Sequence, residues 1–158
     1  ADCVIRSGPL ADSSLIARRL FELEWVTCAT PAYLAHYGTP QHPCDLELGY
    51  PLAHYRHALN DRILPLHFVD RGKEIDIQHR YHVSVNESNA LLAAALAGLG
   101  IIQTFRFMAQ PHLDSGELVS LLHDWQPPAE QMYVVYPSNR HLSAKMRVFI
   151  DWAIETFK

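Results

Sequence analysis

Residues able to do chemistry are plentiful in this sequence but poorly arranged for it. Ten histidines invite a metal-site reading. His54 and His57 are three apart in a strand-like or loop stretch, where that spacing sends side chains to opposite faces. His79 and His82 repeat the problem, and His36 and His42 straddle a helix end. No HExxH and no paired Cys/His set occurs, so no metal is predicted. Cys3, Cys28 and Cys44 are odd in number, widely spaced and lack a CxxC, which fits a reducing, cytoplasmic compartment. Cys3 and Cys28 read as buried structural thiols and Cys44, beside Pro43, as the exposed one.

Nucleophilic catalysis fares no better. There is no GxSxG elbow, and a catalytic Cys3 or Cys28 would need a base that the sequence does not identify. Gly98 and Gly100 follow a helix instead of opening one, so they are not a phosphate cradle. Glu22 and Glu24 read as the solvent side of a strand. The chain is therefore expected not to be an enzyme, with no catalytic residue and no cofactor. What remains are two helix starts, Thr30 and Asn86-Glu87-Ser88, each after a strand. Free N–H groups there can receive a carboxylate or other small anion. Open α/β sheets place ligand crevices at the carboxyl ends of strands. Capping is the ordinary task of the same residues.

The elements that must position these groups follow from pattern. Cys3 to Arg6 is a short strand stopped by Ser7-Gly8-Pro9, and a polar loop runs through Asp12-Ser13-Ser14. Residues 15–29 read as extended, with Trp25 to Ala29 a buried strand. Thr30 caps a helix with Pro31 at its first position and Gly38 beyond its end. Residues 39–52 read as loop with one helical turn, and residues 52–56 as a strand. Residues 66–69 and 74–77 form a hairpin around Asp70-Arg71-Gly72-Lys73, and residues 81–85 a further strand. Asn89 to Ala97 is a helix so rich in Leu and Ala that burial nearly all round is expected. Residues 101–105 make a buried strand, 106–113 a helix interrupted by Pro111, and 118–122 a strand. Pro127-Pro128 marks a linker, and residues 132–136 a core strand. In the last helix, capped by Ser143, the residues Met146, Phe149, Ile150, Ala153 and Phe157 share one face.

With 158 residues, 49% hydrophobic and 19% charged, the chain is globular. Its net charge of −4 and scattered basic residues argue against direct nucleic-acid binding. The longest apolar stretch, 90–102, is too short to span a bilayer, so no membrane association is expected. The opening Ala1-Asp2-Cys3-Val4-Ile5-Arg6 enters a strand at once, which reads as an excised or incomplete chain.

In order along the chain, several blocks resemble the effector-binding domain of LysR-type transcriptional regulators. They are Asp2 to Leu10, Asp12 to Leu20, Cys28 to Leu34, Gly38-Thr39-Pro40 with Asp45-Leu46, and Val85 to Ile101. Pro111-His112-Leu113 with Gly116 to Val119, Val135 to Ser138, His141-Leu142-Ser143 and Phe149-Ile150-Asp151 complete the set. The resemblance implies an α/β, two-lobed, periplasmic-binding-protein-like (type 2) fold with mixed, largely parallel sheets. Residues 1–24 and 125–158 would form lobe I and 25–124 lobe II. A small-molecule effector, anionic or aromatic, would lie between the lobes, lined by Arg6, Ser7, Gly8, Thr30, Asn86, Ser88, Thr104 and Phe105. It further implies a homodimer or tetramer that reads DNA only through an N-terminal helix-turn-helix outside this sequence. The first βαβ portion of lobe I is also outside it, and Gln103-Thr104-Phe105-Arg106-Phe107 replaces a usual Leu-Pro turn. The alternative is a periplasmic-type solute-binding module of a transport system.

Overall fold

The computed structural model describes residues 3–8, 14–78, 81–138 and 142–157. The expected turn at Pro9, the loop at Asp12 and Ser13, and His79 lie outside the described residues. Two compact units emerge, Ala1–Leu23 with Ala129–Lys158 and Glu24–Pro128. The chain returns to the terminal unit after Pro128. A 3-10 turn at His123–Trp125 and the Gln126 side chain are still bonded to the central unit's backbone and side chains.

In the terminal unit, β10 (Glu130–Pro137) lies between β1 (Val4–Ser7) and β2 (Leu15–Leu23), antiparallel to both. Helix α4 (Ala144–Thr156) is capped by Ser143, whose hydroxyl accepts from the Met146 N–H at 3.3 Å. Ile150 and Ala153 pack with Leu20, Val134 and Tyr136, while Phe149 and Phe157, at the margins of the expected face, stay exposed.

In the central unit, β3 (Trp25–Ala29) is flanked by β8 (Ile102–Phe105) and β9 (Val119–Leu121), both antiparallel to it. β4 (Leu52–Tyr55) pairs in parallel with β7 (Tyr81–Val85), and a parallel bridge between Leu52 and Ile101 joins that pair to the start of β8. Gly100 makes the junction possible, because a Cβ there would lie 2.7 Å from both the Ala53 nitrogen and the Leu52 carbonyl carbon. The α/β sheets are mixed, as expected, but antiparallel ladders outweigh parallel ones among the described strands. The strand that enters the central unit runs against its neighbours. β5 (Leu66–Asp70) and β6 (Lys73–Ile77) form the predicted hairpin. Its loop is two residues, Arg71 and Gly72, since Asp70 pairs with Lys73, and both loop residues take the positive φ that tight hairpins require.

Three helices complete this unit. α1 (Pro31–Tyr37) has Thr30 accepting from the Tyr33 N–H at 3.1 Å and Gly38 closing it at φ +87°. α2 (Ser88–Leu96) is buried along one face only, through Leu91, Ala94 and Ala95. Its alanines need no burial to favour a helix, so the all-round burial expected from composition is not found. α3 (Arg106–Ser115) runs through Pro111 without a break. The proline sits on the exposed side, where the carbonyl one turn earlier can tilt toward water. Phe68, Leu46, Leu52, Ile77 and Ile101 are fully buried in the same cluster, each contributing about 1.5–3 kcal/mol.

Candidate functional site

Parallel strands bring their carboxyl ends to one sheet edge, and here that edge is built by β4, β7 and β8. Tyr55 is in register with Val85, and the Arg56 N–H donates to the Val85 carbonyl at 2.7 Å. The Leu52–Ile101 bridge sets the start of β8 parallel to β4, so Phe105 ends a strand that runs in the same direction. The edge therefore collects Arg56 after β4, Asn86 and Ser88 after β7, and Phe105 with Arg106 at the end of β8. Trp25, at the amino end of antiparallel β3, pairs with Phe105, and their ring centroids are 4.3 Å apart. Arg106 is held by Glu24 through a backbone bond of 2.7 Å and a side-chain ion pair of 3.2 Å.

Thr30 is not part of this constellation. It follows β3, whose carboxyl end points the opposite way, four residues beyond the Val26–Thr104 pair. A Cβ at Gly98, just past the end of α2, would be 3.8 Å from the Thr30 hydroxyl. Asn86 and Ser88 lie at the other end of that nine-residue helix, a separation of about 13 Å at 1.5 Å per residue. The five expected residues of the central unit thus divide into a cap at one edge and a polar and aromatic set at the other.

The anion-receiving role expected of the α2 start is also modified. Glu87 is the cap, its carboxylate accepting from the Asn89 and Ala90 N–H groups at 2.9 Å each. Those bonds hold its carboxyl below the usual carboxylate range, and they fill the N–H groups that an external anion would use. Ser88 is the first helical residue and Asn86 is exposed before it, so both present side chains at the edge without capping. Thr104 is buried, its hydroxyl 4.0 Å from the Met108 sulfur. Phe105 precedes α3 and provides no side-chain cap for it.

In the terminal unit, Arg6 and Ser7 are exposed on β1 opposite Tyr133 and Met132. Gly8 follows at φ +85° with open space where a side chain would be.

Sequence reasoning missed Arg56. Its Nη1 pairs with Asp61 at 3.3 Å, while its Nε is buried with no hydrogen-bond partner among the described residues. A cation directly after an apolar strand was the available signal. Chemically, the edge offers a guanidinium, an amide, a hydroxyl and a tilted aromatic pair. It suits a small ligand with an acceptor group and a flat apolar part.

The groups that could have supported catalysis are otherwise occupied. Burial pushes the Cys28 thiol up to about 12, with Arg106 opposing only in part, so it is no nucleophile near neutral pH. His54 is buried with Nδ1 2.9 Å from the Leu64 carbonyl, and burial lowers its pKa below the ordinary 6.5. No cluster of three or more His, Cys, Asp or Glu suited to a metal occurs among the described residues. Nor is any helix among them long and apolar enough to cross a membrane.

One α/β unit on an antiparallel sheet and one on mixed sheets, the second with a polar edge, suit a ligand-binding class of protein. Residues 1–158 match the family model described as the LysR substrate binding domain. The chain belongs to that family, and its fold class is the two-lobed, periplasmic-binding-protein-like α/β fold of LysR regulatory domains. It is 35% identical over 162 residues to an uncharacterized HTH-type transcriptional regulator, YhjC, of Escherichia coli K12, covering 99% of this chain and 52% of that protein. It is 33% identical over 157 residues to an HTH-type transcriptional repressor of Pseudomonas aeruginosa, covering 99% and 49%. The full-length structure of the Vibrio cholerae virulence activator AphB superposes with a TM-score of 0.85 at 29% identity, covering 99% of this chain and 52% of that one. The chain thus spans about half the length of the curated relatives it matches. These relatives are transcriptional regulators and not solute-binding proteins of transport systems, which sets the transport alternative aside.

Proposed function

We propose that this chain is the effector-sensing part of a LysR-type transcriptional regulator, with residues 1–23 and 129–158 as one lobe and 24–128 as the other. The effector is a small molecule with a carboxylate or similar acceptor and an aromatic or other flat portion. Arg56, Asn86 and Ser88 receive the polar end, and Phe105 supported by Trp25 receives the flat part. The observation that carries this reading is the gathering of a guanidinium, an amide and a tilted aromatic pair at the carboxyl ends of β4, β7 and β8.

The chain acts by binding, not by catalysis, in the cytoplasm. It belongs to a homodimer or tetramer whose DNA contacts are made by a helix-turn-helix segment. A ligand shifts such an assembly only by favouring one arrangement over another. A thermal-shift screen of small aromatic acids tests the reading. A compound at one hundred times its Kd stabilises by about 2.7 kcal/mol. Failure of every aromatic and aliphatic carboxylate to raise Tm would contradict the acceptor-ligand assignment.

A further inference from the structure

The central unit holds a buried polar cluster that the effector edge does not use. Thr27, on β3, is wholly buried. Its hydroxyl accepts from the Gln126 amide at 2.9 Å and from the Gln103 amide at 3.3 Å. Gln103, on β8, also grips β5. Its Oε1 accepts from the His67 N–H at 2.8 Å and its Nε2 donates to the His67 carbonyl at 2.7 Å. A side-chain amide here does what a neighbouring strand's backbone would do, saturating both groups of one residue. Gln126 reaches back to the carbonyls of Leu121 and Leu122 at 3.3 and 3.2 Å. Leu122 stands at φ +52°, a conformation that residues other than glycine adopt only when neighbours impose it.

Position gives the cluster its meaning. β3 is the strand by which the chain enters the central unit, and Gln126 immediately precedes Pro127 and Pro128, by which it leaves. We infer that Thr27, Gln103 and Gln126 form a clasp that fixes the exit segment, residues 121–128, to the entry strand and docks the β5–β6 hairpin to the same point. Entry and exit then move as one base. A disturbance of the hairpin, where His67 also bonds the Asp76 carboxylate, reaches the exit segment through two side chains. This goes beyond the effector-site reading and does not depend on it.

Amide hydrogen exchange on the 158-residue chain tests the clasp. The reporters are the N–H groups of Trp125 and Gln126, bonded to the carbonyls of Leu122 and His123, and the N–H of His67. In Thr27→Val and in Gln126→Ala, exchange across 121–128 should quicken about tenfold or more, the loss expected when buried bonds of this kind are removed. Exchange in β4 and α2 should not change. Gln103→Ala should release His67 as well, and Thr27→Ser should restore the protection lost in Thr27→Val. Unchanged exchange over 121–128 in Gln126→Ala overturns the proposal. So does equal acceleration throughout the unit, which would mean general loosening. Because Gln126 is only partly buried, its variant keeps the test open if Thr27→Val fails to fold.

Discussion

Replacing Gly100 with alanine attacks the seam on which the candidate site depends. At this position the added Cβ would meet the Ala53 nitrogen and the Leu52 carbonyl carbon at 2.7 Å and the Leu52 Cα at 3.1 Å. All three are backbone atoms of the adjacent strand, so no side chain can swing aside. Relief must come from separating β4 from the start of β8. That breaks the Ala53 N–H bond to the Ile101 carbonyl and the Ile101 N–H bond to the Pro51 carbonyl, both 3.0 Å. Overpacking of this sort costs about 1–3 kcal/mol, and the rigid neighbours place Gly100→Ala at about 3. For a chain of this size, about 2–4 °C of Tm is lost per kcal/mol, so a fall of about 6–12 °C is expected. Gly116→Ala is the control. There nothing lies within 4 Å and only the positive φ of +80° is penalised, for about 1–2 kcal/mol. Thermal unfolding followed by circular dichroism reads both. If Gly100→Ala melts within 1 °C of the parent, about the smallest resolvable shift, or above Gly116→Ala, the steric reasoning is wrong.

Other outcomes follow from the same structure. Thr30→Ala should cost about 1 kcal/mol as a lost helix cap and leave any ligand-induced Tm shift unchanged, since Thr30 sits at the opposite edge. A loss of ligand response in that variant would return Thr30 to the site. His54 must stay neutral to remain buried, whereas the unfolded chain takes up its proton near the ordinary 6.5. Stability should therefore fall as pH drops below about 6.5, down to the lowered folded value. Tm measured from pH 7.5 to 5 should decline less steeply in His54→Gln, and parallel curves would refute this. Maleimide labelling at pH 8 should modify exposed Cys44 and spare Cys28 until the chain unfolds. Equal rates would show that Cys28 is accessible.

How far the sequence could be read depended on how local each determinant is. The Thr30 cap, Pro31 and Gly38 act within one turn of α1, and that helix forms where they predict it. The α2 start was legible only in outline. Three polar residues stand in a row there, and the choice of Glu87 as cap depends on which one first departs from extended backbone. Pro111 read as an interruption because the sequence does not show which side of α3 faces water. The larger miss concerned direction. The rule that ligands gather at the carboxyl ends of strands grouped Thr30 with Asn86, but it assumes parallel strands. The antiparallel run of β3 is set by pairing with distant residues 102–105 and 119–121. Arg56 went unnoticed because its value lies in its neighbours Val85 and Asp61, brought to it by folding.

The most direct test of the proposed sensing role is where an effector leaves its footprint. Amide exchange would be measured with and without the best stabilising aromatic acid from the screen. Protection is predicted at residues 55–57, 85–90 and 104–107, with α1 unaffected, and Arg56→Ala should abolish the ligand's effect while the fold persists. Protection centred on α1, or full binding by Arg56→Ala, would contradict the account.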